Sequence, residues 1–294
     1  MVINIIVLPL LTIVFISGLS AAFVGLLSIK IGSIIVIPAI LVLKMYTFIC
    51  ELAQQLPYSK IIVGCPSLNR VIIYYIILAI LIYICKKNKS VIIRLFGIIT
   101  LLVIVNTKVK SGLEIDFLDV GQGDASYIHI DSGQNIFVDG GSSSKKKVGE
   151  NIILPFLKYR GIGNIDYWFI SHADSDHVSG LIEVINSGYC IDNIIIGLGS
   201  KNDENMMELV SLANDFKINI IEIKSDDCLK TDSAMIECVN PSKVMYSKKE
   251  EYNSNENCLV LLLSDYKTNT KCMYAGDISS DTENILIDKY GYNG

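Results

Sequence analysis

Charge is scarce in this chain of 294 residues. Lys, Arg, Asp and Glu together make up 19%, against 51% hydrophobic residues, and the mean hydropathy is +0.46. That balance excludes a disordered chain, which needs low hydrophobicity, and an ordinary cytosolic globule. Acid is nearly missing from the first 110 residues, which hold Glu51 alone beside ten Lys and Arg, a net of +9. Residues 111–294 carry 29 acids and fifteen bases, a net of −14. An acidic second half argues against a broad, non-specific nucleic-acid surface. It leaves room for a nuclease whose metal ion supplies the positive charge that phosphate needs. Cysteine stands at eight scattered positions (50, 65, 85, 190, 228, 238, 258 and 272) with no Cys-x-x-Cys pair, which argues against a structural zinc site. Five of the eight fall in the second half, an odd number, and read as core thiols rather than a disulfide set.

What the first half has in plenty is apolar sequence. No charged residue occurs from Val2 to Ile29, a run longer than the roughly 20 residues that span a bilayer. The patterning predicts about four membrane helices within 1–110, at 2–29, 31–53, 69–85 and 91–107. Pro57, Gly64 and Pro66 mark the connection between the second and third. A signal peptide is disfavoured because no basic region precedes the first run and further apolar segments follow it. Lys86, Lys87 and Lys89 crowd the turn between the third and fourth helices, which the positive-inside rule places in the cytoplasm; Lys30 agrees, while Lys60 and Arg70 run against it. The fourth helix then delivers residue 111 onward to the extracellular face. Two basic residues lie at or near membrane depth. Arg94, near a helix end, reads as snorkelling to the interface, and Lys44 reads either so or as a charge lining a path through the membrane.

The second half alternates strand and helix signals. Strands are expected at Glu114–Val120, Asp124–Asp131, Asn135–Asp139, Ile165–Ile170, Asn193–Ile196, Ile218–Ile223, Ala234–Val239, Cys258–Leu263 and Cys272–Ala275. Helices are expected at Val148–Tyr159, Val178–Asn186, Asp203–Phe216 and Thr282–Tyr290. Such interleaving predicts an α/β layered domain over 111–294.

Histidine is the rarest chemistry-bearing residue, with only His129, His172 and His177. Two of the three share the six-residue run His172-Ala173-Asp174-Ser175-Asp176-His177, between an apolar strand and a helix. A strand end fixes the backbone while a loop lets alternate side chains converge. Imidazole and carboxylate suit zinc, manganese or iron. Four ligand-type side chains exceed one ion's needs and point to a two-metal site. The bland alternative is a solvated acidic turn with incidental histidines, and the scarcity of histidine speaks against it. His129 lies inside an alternating strand and reads as structural.

The run resembles the His-x-[His/Asp]-x-Asp-His signature of the metallo-β-lactamase fold, with Asp174 at its third position. Asp119-Val120-Gly121-Gln122-Gly123-Asp124 and Val138-Asp139-Gly140-Gly141 are similar to the opening strands of the ComEC-type competence proteins. So are Asn257-Cys258-Leu259-Val260 and Tyr274-Ala275-Gly276-Asp277-Ile278 further on, with Cys258 where Ser is usual. In the membrane half, Asn4 to Pro9, the Gly64–Pro66 loop and the Tyr74-Tyr75 helix resemble the end of that family's channel domain. The resemblance implies multi-pass membrane helices followed by an αββα metallo-β-lactamase-like domain. It further implies uptake of single-stranded DNA in natural transformation and metal-dependent cleavage of DNA outside the cell. It places His172 and Asp174 on one divalent ion, zinc or manganese, Asp176 and His177 on the other, and Asp277 between both. Asp176 and His177 then carry the catalytic role, and Asp119, Asp124, Asp139 and Asn257 read as supporting or structural side chains. For Asp277 the competing reading is an N-cap of the last helix. Implied partners are DNA, other competence-machinery membrane proteins and the lipid bilayer, with an oligomer left open.

The family continues to a His-His-Gly-Ser motif that supplies a further ligand, whereas this sequence stops at Gly294, 17 residues after Asp277. The sequence therefore reads as a fragment or a degenerate remnant, incomplete at both ends, with its second ion the more weakened. A non-catalytic membrane module is the alternative function, and a small-molecule metallohydrolase such as a lactonase is disfavoured by the preceding membrane helices.

Overall fold

The computed structural model describes residues 2–54, 62–87, 90–106, 112–241 and 257–290. Pro57, Lys60, Lys89, Thr107 and Gly294, which enter the sequence reading, lie outside them. The chain divides into two compact units, Met1–Ile61 and Ile62–Gly294, so the third and fourth apolar segments group with the acidic half.

The first unit holds α1 (Val2–Gly25), α2 (Ile29–Ile35) and α3 (Ile37–Gln54). The span expected at 31–53 is thus a pair of helices bent by 42°. The bend has a residue-level cause, since Pro38 in the first turn of α3 has no N–H with which to extend the ladder of α2. Gly32 seats α2 against α1, where a Cβ would lie 2.8 Å from the Gly25 Cα. Tyr46 of α3 donates its hydroxyl to the Val7 carbonyl of α1 at 2.6 Å. Lys44 is exposed on α3.

The second unit opens with α4 (Leu68–Lys87) and α5 (Val91–Asn106), packed where Gly97 leaves room for Leu81. Arg94 is exposed on α5. Among the described residues, Val7–Gly25 and Leu68–Lys87 are long and apolar enough to cross a membrane, and the bent pair makes a third if it counts as one span. Ahead of α4, the Cys65 N–H donates to the Tyr159 carbonyl at 2.7 Å, and a Cβ on Gly64 would fall 2.9 Å from the Gly161 backbone.

The rest of this unit is a four-layer domain. Strands β1 (Glu114–Phe117), β2 (Ser126–His129), β3 (Asn135–Val138), β4 (Asn164–Ile170), β5 (Cys190–Gly197) and β6 (Asn219–Ile223) form one sheet in sequence order. The first three pair antiparallel, β1 to β2 across the loop 118–125 and β2 to β3 across a short turn, and β3 to β6 pair parallel. Parallel neighbours need crossovers. Here these are a π-helical turn (Gly149–Ile153) running into α6 (Leu154–Arg160), then α7 (Ser175–Asn186) and α8 (Glu204–Asp215). The second sheet is antiparallel, β7 (Cys228–Lys230), β8 (Ala234–Asn240), β9 (Val260–Asp265) and β10 (Lys271–Tyr274), and α9 (Ser280–Tyr290) follows it.

Strand alternation assigns the layers. Tyr127, Phe137, Trp168, Ile170, Ile194 and Ile196 face the helices and pack on Leu157, Leu181 and Leu209. Ile128, Ile136, Val138, Phe169 and Ile195 point the other way and meet Ile236, Leu261 and Leu263 of the second sheet. On that sheet's outer face Val239 and Val260 pack with Leu286 of α9. This is the αββα order that the family resemblance implies. At the edge of the first sheet, Arg160 ties α6 to β1 through Glu114 and Asp116 at 2.7 and 2.6 Å.

Candidate metal centre

The site forms where the parallel strands end, the position at which open α/β sheets place their ligands. β4 carries the chain to Ser171 and His172, and α7 begins three residues later. Asp174 caps α7 in extended conformation (φ −70°, ψ 149°), its carbonyl accepting the His177 and Val178 N–H groups at 2.9 and 3.1 Å. Its side chain caps nothing. One helical turn brings His177 back beside His172, with ring centroids 4.0 Å apart.

Asp139 follows β3 with φ 54°, a left-handed conformation that Asp tolerates better than most residues. Three bonds hold it there. Its N–H donates to the Phe169 carbonyl, its carbonyl accepts the buried Trp168 indole N–H at 3.0 Å, and its carboxylate accepts the Ser171 N–H at 2.8 Å. The other carboxylate oxygen accepts from His177 Nδ1 at 3.1 Å. The loops around it are glycine by necessity. A Cβ on Gly141 would lie 2.3 Å from the Asp176 backbone, and one on Gly123, at φ +142°, 2.4 Å from the Asp176 carbonyl.

Asp277 arrives from the loop after β10 and is half-exposed. Its carboxylate lies 3.6 Å from His177 Nε2 and 4.0 Å from His172 Nε2. Asp174 lies 3.5 Å from the same His172 nitrogen. His172, His177 and Asp277 therefore present donor atoms within 4.8 Å of one another, as a second group of Asp124, Asp139 and His177 does. The first group is better suited to a cation. In it His177 uses Nε2, because Nδ1 is committed to Asp139. His172 Nε2 is buried and has no hydrogen-bond partner, a cost of the order of 1–3 kcal/mol that a cation would relieve. Two imidazoles with a carboxylate fit a divalent ion.

The electrostatics agree. Burial alone would depress the His177 imidazolium, but the hydrogen bond and charge of Asp139, with Asp277 and Asp176 adding, lift it to about 9. Asp124 is pushed above the usual carboxylate range by burial and by Asp139, Asp277 and Asp176, with His177 pulling it the other way. Burial pushes the Cys258 thiol up to about 12.

The sequence reading assigns His172 and His177 to two ions with Asp277 between them, and the structure places donor atoms of all three within 4.8 Å of one another. Among the described residues, Asp176 belongs to neither group; its charge raises the His177 imidazolium and its carbonyl accepts the Asp124 N–H at 3.2 Å. Asp124 and Asp139, read as supporting, both lie beside His177. Asp119 is exposed and paired with Lys145 at 2.8 Å, and Asn257 is buried. Sequence reasoning missed Ser171, whose Oγ lies 3.0 Å from His172 Nδ1 and 3.3 Å from His177 Nδ1. A hydroxyl residue directly before the first histidine was the available signal.

Residues 118–190 match the metallo-beta-lactamase superfamily and residues 1–88 the competence protein family. ComE operon protein 3 of Bacillus subtilis (strain 168) is 22% identical over 190 residues, covering 60% of this chain and 24% of that protein. Recombination protein 2 of Haemophilus influenzae is 35% identical over 96 residues, covering 31% of this chain and 12% of that protein. The matches thus span a quarter or less of these curated relatives. Among solved structures, the metallo-beta-lactamase fold protein YhfI from Bacillus subtilis aligns at 12% identity and TM-score 0.36, covering 55% of this chain and 62% of its own. CmlA, a diiron beta-hydroxylase from Streptomyces venezuelae, aligns at 13% and 0.38, covering 65% and 35%. Both scores are low. Competence segment first and metallo-beta-lactamase segment second, the chain is similar to the ComEC-type proteins in both of its parts.

Proposed function

We propose that this chain is part of a membrane protein of DNA uptake whose lactamase-like domain hydrolyses DNA phosphodiesters with a bound divalent metal. The observation that carries the reading is the convergence of His172 Nε2, His177 Nε2 and the Asp277 carboxylate at the strand ends, with the His172 nitrogen buried and unpartnered. His172, His177 and Asp277 would hold the ion, with Asp174 alongside. A divalent cation there supplies Lewis acidity to phosphodiester hydrolysis. The protein's own groups do the positioning. Asp139 accepts the Nδ1 proton of His177, which fixes the ring and reserves Nε2 for the ion, whose binding would displace the proton there. Asp277 and Asp174, both half-exposed, keep the site open to solvent and to a substrate strand. The extracellular placement is supported by Lys86 and Lys87 at the end of α4. Zinc or manganese suits the donor set, and a second ion would draw on Asp124.

The full chain, purified in detergent, should retain divalent metal by elemental analysis and cleave DNA. His177→Ala should abolish cleavage and lower metal content. A metal-free chain that leaves single- and double-stranded DNA uncut in added zinc or manganese would favour the non-catalytic membrane module.

A further inference from the structure

The buried side of His172 is as organised as its open side, although no carboxylate stands there. Its Nδ1 meets the Ser171 hydroxyl at 3.0 Å, and the Cys258 sulfur lies 3.9 Å away. Cys258 is itself hydrogen-bonded to Ser171, and its thiol donates to the Ala275 carbonyl at 3.7 Å. Ser171 and Cys258 carry one proton each on the contacting atom, and the chain of contacts ends on a group that can only accept. That asymmetry dictates direction. The Ala275 carbonyl takes the Cys258 proton, the sulfur is then left to accept from the Ser171 hydroxyl, and the hydroxyl oxygen accepts from His172 Nδ1. His172 is held as the Nδ1–H tautomer with a bare Nε2, the atom that faces Asp174 and Asp277. On the neighbouring ring Asp139 achieves the same end directly. Gly276 makes the closure feasible. A Cβ there would stand 2.5 Å from the Cys258 sulfur and 2.9 Å from the Ser171 Cβ.

We infer that Ser171 and Cys258 are positioning residues, a directional hydrogen-bond relay that fixes the tautomer of His172 so that its Nε2 lone pair faces the metal position. The inference rests on the metal-site reading above. Serine at position 258 would serve the relay equally, since either residue donates one proton and accepts another.

Three histidines in the whole chain make the test practicable. Nitrogen-15 histidine NMR of the metal-free chain in detergent should show His172 protonated at Nδ1 and bare at Nε2, the assignment made with His172→Gln. Ser171→Ala should shift His172 towards the Nε2–H form, leave His177 in the tautomer that Asp139 holds, and weaken cobalt(II) binding about 10- to 100-fold. Ser171→Thr should restore both. Cys258→Ser should behave as the parent and Cys258→Ala as Ser171→Ala, which covers the case in which one variant fails to fold. An Nε2–H tautomer in the parent would overturn the relay. So would folded Ser171→Ala and Cys258→Ala variants with parental tautomer and cobalt affinity. Absence of DNA cleavage with these results intact would overturn the proposed hydrolysis and leave the relay standing.

Discussion

His177 is the side chain on which most of the site's electrostatics bear. In the metal-free chain its imidazolium is held to about 9, above the ~6.5 of a free imidazole. The bound proton therefore stabilises the fold fully below pH about 6.5, and this contribution is lost as pH rises through about 9. The melting temperature of chelator-treated protein should fall across that window, and Asp139→Asn should flatten the fall. The same substitution removes the acceptor that fixes the ring and should weaken metal binding by about 10- to 100-fold, measured by cobalt titration. Gly141→Ala tests the backbone around it. With no space between Gly141 and the Asp176 peptide, even one methyl should cost about 1–3 kcal/mol, read as a lowered melting temperature. Residue spacing revealed only part of this. Two histidines five apart between a strand and a helix announce a site, but Asp139 joins it because β3 and β4 are adjacent and parallel, a pairing that no local pattern states.

At the scale of elements, β4 links core to site. Trp168 stacks on Phe137 with ring centroids 4.5 Å apart and donates its indole N–H to Asp139. Trp168→Phe should leave that carbonyl unpartnered at a cost of about 1–3 kcal/mol, adding a cavity term. It should lower metal affinity together with the melting temperature. The long strands and helices were legible because their apolar residues recur at the right period, as along Tyr167 to Ile170 and Leu181 to Ile185. β7 was not, since three residues, Cys228–Lys230, offer no period to read. The expected helix at Val148–Tyr159 opens instead as a π-turn, with Gly149 pressed against the Gly180 carbonyl. The single span expected over 31–53 is bent at Pro38, because an apolar run records burial in lipid without recording continuity of the hydrogen-bond ladder.

For the molecule as a whole, composition divides basic apolar helices from an acidic layered domain, and that division was plain from charge alone. What it concealed is that α4 and α5 group with the acidic domain rather than with α1 to α3. Topology supplies a further test. Cys190 and Cys228 are exposed on the domain. In intact cells a membrane-impermeant maleimide should label both, whereas labelling only after lysis would place the domain in the cytoplasm. Gly64 and Gly161, described above as backbone seated on backbone, have a mechanical consequence. Rotation of α4 meets no side-chain slack at that joint, so it passes into the peptide planes ending α6 and on through Arg160 to the rim strand. The layered domain is thereby geared to its helix, and torque on one is felt by the other.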